Sequence, residues 1–526
     1  MGLLGRIMKK HFPLLILVLV NLTVGLWALP SFGESVDELS QHSYAERTLH
    51  GISSLVATGP WPAYFTEETS KQGSHGPIFM MVVVLLRSFF LPEGTALEKL
   101  QFSHFLYFVM FQLGTASLFF LAQRWVSPVS AFGTALLFTT QPLLVGHALM
   151  NPKDVVFMSL LITSASLGLR LVDHEESHFH MTGSPVWDGA RLFFRQFLRL
   201  DVWIAGVVLG FSSAVRLAAP LVGVVVLAQI LLARKWQRLP RFVAYGLIAL
   251  GFMVLFWPYL WPDPFSRFVG SILHSIHYPD QHVTLFRGRL VEAEHTPLSY
   301  LPILLVVQLT ETTLLLVMAG IVSLAKKMRW DRVALLLIWF GLPVAAIVIM
   351  RVNLYDNFRQ VFFILPPIFL VAGLGLDCLL TWIRRPAFQF MLLFLAILPG
   401  LYGNISLYPY QYVYYNQIAG GLRGGYRVFE LDYWHLAFKE AQTYVNQVAD
   451  ENANIFVGNS KTSAETFARP DLVFNAFGAR KKNWENYDYL IVSTAENADE
   501  KFAAFPTVFK VERQGVPLVL VKKTSK

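Results

Sequence analysis

Long apolar runs separated by short polar turns fill the chain up to about residue 406. Eleven runs can be helices that cross a bilayer, at about 12–30, 102–123, 128–147, 155–171, 202–216, 218–233, 242–258, 301–323, 333–350, 361–382 and 389–406. A crossing helix needs about 20 mainly apolar residues. The pair at 202–233 is short for two crossings, and one tilted helix is the competing prediction there. The run at 76–92 is shorter still, carries Arg87 and is bounded by Pro77 and Pro92. It is expected to lie along the membrane surface. The first run follows a basic start, MGLLGRIMKK, and no small-residue cleavage site follows it, so it is expected to be a retained span.

After residue 406 the pattern changes to short alternating runs: NIFVG (454–458), LVFNAF (472–477), YDYLIVST (487–494), and FPTVFKV followed by VPLVLVKK. A helical stretch is expected at 433–449. These predict a small α/β domain over 407–526, attached to a helical membrane domain over 1–406. The fold class is thus mainly α, a membrane bundle with a large first loop and a small C-terminal α/β unit.

Composition agrees. The 526 residues are 54% hydrophobic and only 15% charged, against roughly 25% charged in soluble domains. The net charge of +8 is confined to short loops, which orients a membrane protein and does not suggest a nucleic-acid surface. With 76–92 on the surface, Arg6, Lys9, Lys10, Arg124, Arg191, Arg195, Arg199, Arg234, Lys235, Arg238, Arg241, Lys326, Lys327, Arg329, Arg332, Arg384 and Arg385 all fall on one side, expected to be cytoplasmic. The segments 31–101, 148–154, 259–300 and 351–360, and everything after 407, then lie outside. The single cysteine, Cys378, can form no intrachain disulfide.

The outer segments hold the candidate chemistry. Asp37 and Glu38 follow the first span. A carboxylate there can deprotonate an acceptor or bind a cation, although acids are also common in interfacial loops. GHALMNPKD (146–154) packs His147, Asn151, Lys153 and Asp154 into one turn. That can be a site, a helix cap, or both. Arg216 interrupts an apolar stretch, and Arg351 and Arg359 flank a loop. Arginine's forked charge suits phosphate, while snorkelling at span ends is the alternative. The aromatic loop WPYLWPDPFSRF (257–268) is expected to form an interface belt, with a sugar or prenyl groove as the alternative. The histidines of HSIHYPDQH (274–282) lack zinc-ligand spacing. Glu311 falls a third of the way into a run, where an acid is costly. No glycine-rich nucleotide-binding motif occurs.

Several pieces, in this order, resemble the GT-C superfamily of membrane glycosyltransferases, nearest to the protein O-mannosyltransferases and aminoarabinose lipid A transferases. They are Asp37-Glu38, HGP (75–77) with its surface helix, MNPKD (151–154), LYDNFRQVFFILPP (354–367) and LYPYQYVYYNQIAGG…ELDYWHLAFKEA (407–441). The resemblance implies a hexosyltransferase-type enzyme. It moves a sugar from a polyprenyl-phosphate donor to a protein, lipid or glycan acceptor on the outer face, with inversion. It implies Asp37 and Asp154 as the catalytic acids, and Arg359, Arg216 and Lys153 as donor-phosphate ligands. Glu38, His75, His147, Asn151 and Tyr355 are the neighbouring candidates. Some members use a divalent cation; magnesium or manganese would fall to Asp37, Glu38 and Asp154. Gln360 stands where a basic residue or histidine is expected. A lipid transporter without transferase activity is the alternative, but the chain has no internal repeat and its acids sit at span ends.

Overall fold

The computed structural model describes residues 3–59, 75–174, 191, 193–276, 282–326, 329–458, 460–474 and 484–524. Parts of the expected segments 274–282 and 472–477, and Lys327, lie outside the described residues.

Each of the eleven apolar runs is helical. Seven helices are long and apolar enough to cross a membrane: His11–Ser31, Ala96–Ala122, Asp154–Asp173, Trp236–Phe256, Trp330–Met350, Arg359–Trp382 and Pro386–Ser406. Two further spans are bent pairs, which brings the number to at most nine among the described residues. Pro128–Thr139 meets Pro142–Ala148 at 65°, because Gln141 precedes a proline and adopts an extended backbone. Tyr300–Gln308 meets Glu311–Lys326 at 112°. Residues 202–233 form two helices, Leu200–Val215 and Leu221–Leu232, both shorter than a full span. They part where Arg216 turns extended ahead of Pro220. The chain is a multi-pass membrane protein.

Asp154–Asp173 is the centre of the bundle, with almost every side chain buried. Helices approach closely where side chains vanish. A Cβ on Gly320 would lie 2.0 Å from the Val371 carbonyl oxygen, and one on Gly375 would lie 2.0 Å from that of Leu316. Such small-residue contacts let backbones touch where lipid gives no hydrophobic drive. Ile78–Phe90 has 13 residues. It packs on Glu38–Thr58, with Arg87 paired to Glu46 at 2.8 Å.

The 112° bend strips several carbonyls of helical partners, and the segment after the last span replaces them. Asn416 Nδ2 donates to Val306 O (2.6 Å) and Leu309 O (2.7 Å), and Asn416 N donates to Val307 O (2.8 Å). Gln141 Nε2 reaches Gln308 O at 2.8 Å. Glu311 begins the second helix of the pair and accepts from Gln417 N at 2.5 Å. The acid expected inside a span therefore stands at a break, and its position is explained.

The C-terminal sheet has the order Val473–Phe474, Asn454–Val457, Tyr489–Ser493, Val516–Lys523, Thr507–Arg513. The first three strands run parallel and the last two pair antiparallel. The expected helix at 433–449 begins only at Phe438. Residues 433–437 instead turn inward and bury Tyr433 and Trp434. Two elements of the 259–300 loop were not expected: the helix Pro264–Ile276 and the hairpin Val283–Phe286 with Arg289–Glu292. Trp257, expected in an interface belt, is wholly buried beside Ala214 and Leu260. It belongs to a core that supports the end of helix Leu200–Val215.

Candidate active site

Asp37 precedes helix Glu38–Thr58 but does not cap it with its side chain. Glu38 instead ties down the loop before the helix, accepting from Ser35 N at 2.8 Å. The Asp37 carboxylate is thereby left to face the bundle, where Lys153 Nζ lies 3.2 Å away and Arg359 Nη1 3.5 Å away.

The second acid is held by its own turn. Asn151 Oδ1 accepts from the backbone N–H groups of Lys153 (3.0 Å) and Asp154 (2.8 Å), which caps the central helix. Its amide nitrogen donates to Asp154 Oδ2 at 2.9 Å and to His147 Nδ1 at 3.0 Å. That contact makes Nδ1 the acceptor, so His147 Nε2 carries the proton and donates to the Tyr433 hydroxyl at 2.9 Å. A buried chain thus runs Tyr433–His147–Asn151–Asp154. The turn is both a cap and part of a charged constellation.

Asp154 is fully enclosed, and both its oxygens are taken. Oδ1 accepts from Arg216, and Oδ2 accepts from Arg359 Nη1 at 3.2 Å. Arg216 also donates to Gln360 O at 3.2 Å. Asp356 completes the group, receiving Arg359 Nη2 at 2.9 Å and Nε at 3.1 Å. The turn that delivers it puts Asp356 and Asn357 at φ 49° and 61°, a left-handed conformation that Asp and Asn tolerate. The Arg359 guanidinium lies over the Trp434 ring at 4.4 Å and the Tyr355 ring at 5.4 Å. Tyr355 in turn stacks on His282 at 4.0 Å.

Three carboxylates (Asp37, Asp154, Asp356) therefore face three cations (Lys153, Arg216, Arg359). Burial lifts the Asp37 carboxyl, but Lys153 and then Arg359 outweigh it and hold the group below its ordinary value. Burial raises Asp356, against the pull of Arg359. His75 is pushed down to about 3 by burial, with Lys153 and Arg216 adding to it, so its ring is neutral. Its Nε2 donates to Gln41 Oε1 at 3.2 Å.

The three cations and His75 line one end of a cavity of about 590 Å3. The rest of its wall is mostly apolar: Leu217 comes from a turn, Leu221 and Val224 from helix Leu221–Leu232, and Leu342, Ala346 and Ile347 from helix Leu342–Met350, while Ser275, Asn353, Tyr355 and Gln360 add polar groups. Asp37 stands beside this polar end with about a quarter of its side chain exposed (26%).

Sequence expectation and structure part at four points. Glu38 does not join the site: its fully buried carboxylate binds His104 Nε2 at 2.9 Å, on a different face of the helix. Arg351 is exposed in a left-handed turn at φ 48°, away from the cluster. The set Asp37, Glu38 and Asp154 does not fit a divalent cation. Glu38 faces elsewhere, and the other two already meet three positive side chains. Among the described residues no group of three or more His, Cys, Asp or Glu could hold a metal ion. Finally, Asp356, Tyr433 and Trp434 had no assigned role. Only Asp356, three residues before Arg359, carried a signal in its spacing.

No protein-family model and no curated protein matches the chain. Among solved structures it is similar to ArnT from Cupriavidus metallidurans in the apo state, with 13% identity, a TM-score of 0.49, and coverage of 96% of this chain and 97% of that one. The same protein bound to undecaprenyl phosphate gives 13% identity, a TM-score of 0.46 and coverage of 99% and 98%. AglB, the oligosaccharyltransferase of Archaeoglobus fulgidus, in complex with an inhibitory peptide and a dolichol-phosphate, gives 12% identity, a TM-score of 0.44 and coverage of 92% and 69%. These similarities are similarities of fold.

Proposed function

We propose that the chain is a glycosyltransferase that moves a sugar, of hexose type, from a polyprenyl-phosphate donor to an acceptor on the outer membrane face. One observation carries this: a cavity lined by Lys153, Arg216 and Arg359 whose remaining wall is mostly apolar. Phosphate belongs with the cations and a prenyl chain with the apolar wall. The neutral His75 ring can donate or accept beside them.

The chemistry is a single displacement. An acceptor hydroxyl or amine attacks the anomeric carbon from the face opposite the phosphate, and its proton passes to Asp37. The bond between that carbon and the phosphate oxygen breaks, and the electron pair leaves with the polyprenyl phosphate. The configuration inverts. Lys153, Arg216 and Arg359 stabilise the negative charge on the departing phosphate. Asp154, closed to solvent and saturated with donors, holds Arg216 and Arg359 in place.

The ion pairs also time the base. Without donor, Lys153 and Arg359 hold Asp37 below its ordinary pKa, which makes it a poor proton acceptor. A bound phosphate competes for the same two cations. As they turn to it, Asp37 becomes more basic.

In this reading the N-terminus is cytoplasmic, which the basic end of the bundle supports. Arg124 pairs with Asp173, Lys235 donates to Val172 O and Arg332 to Trp125 O. This basic cluster stands at the other end of the 20-residue helix that starts at Asp154, a distance of about 30 Å.

The test uses membranes carrying the protein and radiolabelled polyprenyl-phosphate sugars. The expected result is release of polyprenyl phosphate and formation of an inverted linkage, both lost in Asp37→Asn. Transfer at the native rate by Asp37→Asn would falsify the assignment of the base. Movement of intact donor across the bilayer without transfer would point to a transporter.

A further inference from the structure

A second cavity, of about 420 Å3, lies where the first span meets the C-terminal unit. It shares no lining residue with the cavity at Lys153, Arg216 and Arg359. Its walls come from Ser31 at the end of the first span, Tyr408 and Tyr410 after the last span, Glu440 and Tyr444 on helix Phe438–Val448, and Phe509 on strand Thr507–Arg513.

The aromatic rings form flat surfaces. Tyr444 and Phe509 stack at 4.3 Å with 5° between their planes. Tyr408 is backed by Trp27, itself 71% exposed, at 5.5 Å. The polar groups between the rings are fixed in place. Glu440 Oε2 accepts from the Tyr410 hydroxyl at 3.0 Å and from Arg513 Nη2 at 2.8 Å. The Tyr408 hydroxyl donates to Ser31 at 2.7 Å. Thr443 and Gln447 add an exposed hydroxyl and amide on the same helix face.

Flat ring faces alternating with fixed, planar hydrogen-bonding groups match one ligand class. A sugar ring presents axial C–H bonds on its face and hydroxyls at its rim. The aromatic face is electronegative and attracts the C–H edge, while a carboxylate with an arginine pairs two adjacent hydroxyls. A prenyl or acyl chain has no use for the carboxylate.

We propose that this cleft is the acceptor subsite: it holds a sugar ring of a saccharide-bearing acceptor presented at the membrane surface. The proposal rests on the transferase function above. Ser31 and Asp37 are six positions apart in the chain, so the cleft and the base are within about 20 Å of each other. An extended acceptor with one sugar ring held in the cleft can span that distance, so that a hydroxyl several units along the saccharide reaches Asp37.

The experiment is saturation-transfer NMR on the full-length protein in nanodiscs. The probes are free hexoses, N-acetylhexosamines and their disaccharides, with a serine- and threonine-rich peptide alongside. Saturation transfer to sugar ring protons is expected for the native protein and for Asp37→Asn. It should fall by about fivefold or more in Tyr444→Ala and Glu440→Gln, and persist in Tyr444→Phe, which keeps the ring. In transfer assays Tyr444→Ala should raise KM for the acceptor and leave kcat unchanged. Transfer to no sugar in the panel, an unaltered signal in Tyr444→Ala, or a signal from the peptide alone would overturn the subsite. Sugar transfer by the enzyme would still stand in each of those cases. Sugar binding in a protein with no transfer activity would instead overturn the enzymatic function.

Discussion

Arg359 Nη1 lies 3.2 Å from Asp154 Oδ2, although the two residues are 205 positions apart in the chain. This pair ties the start of the central helix to the start of the next-to-last span. It is one of several buried pairs there, since Arg216 also meets Asp154 and Asp356 also meets Arg359. Removing one member of such a buried pair costs about 3–5 kcal/mol, because the other is left uncompensated. Arg359→Ala should therefore lower thermal stability in detergent and abolish donor binding. Arg359→Lys keeps the charge and loses the fork that reaches Asp154 and Asp356 together. It should fold, with donor affinity clearly reduced.

Asp37 behaves differently, since its side chain neither caps a helix nor fills the core. Asp37→Asn should leave expression and the unfolding temperature within error of the native protein. Loss of a general base costs about 10²–10⁴-fold in rate, so transfer should fall by that factor while donor binding persists or tightens. A large drop in folded protein would show that Asp37 is structural.

The buried chain from Tyr433 to Asp154 predicts a positioning effect. His147→Ala removes the donor to the Tyr433 hydroxyl and leaves one Asn151 N–H without its partner, at a cost of about 1–3 kcal/mol. Tyr433→Phe removes only the last link. Its expected signature is a lower kcat with an unchanged donor KM. An unchanged kcat in both variants would show that the chain is only packing.

Glu34 makes the seam between the first outer loop and the C-terminal unit sensitive to pH. Burial raises its carboxyl from an ordinary 4.5 to about 7, and Thr466 donates to it. The folded state therefore keeps the proton between these values while the unfolded chain loses it. Stability falls as pH rises through this window, by up to about 3 kcal/mol once the pH exceeds 7. Glu34→Gln should remove this slope in unfolding experiments between pH 5 and about 8. A steeper fall in the variant would contradict the sign.

Gly76 offers a test of how the site is spaced. A Cβ there would lie 2.1 Å from the Ala214 carbonyl oxygen, two residues before Arg216. Gly76→Ala must push helix Leu200–Val215 away from His75. Donor binding should weaken although no charged group changes. Equal affinity in binding assays would show that the helix end yields freely.

Much of the site was legible because charge is conspicuous against an apolar background. Asp37, Lys153, Asp154, Arg216 and Arg359 each stand at the end of a hydrophobic run, and they converge on one network. Glu38 shows the limit of adjacency. On a helix its side chain points about 100° away from its neighbour's, toward His104. Trp434 and Tyr433 were read as the start of a helix by their periodicity. Contacts with Arg359 and His147 override that local preference, and His147 lies 286 positions from Tyr433. Trp257 was given to the membrane interface from composition, which does not distinguish an aromatic at a lipid surface from one packed under a loop. Glu311 seemed misplaced because the hydrophobic run containing it is continuous through a 112° break.

That break has a consequence for how the chain comes apart. The carbonyls of Val306, Val307 and Leu309 take their hydrogen bonds from Asn416, and hydrocarbon offers no substitute. Excising everything beyond the final crossing would leave these oxygens bare at a cost of several kcal/mol each. The two portions should then melt in a single transition, and a protein cut short near residue 406 should be degraded in cells rather than persist as a bare bundle.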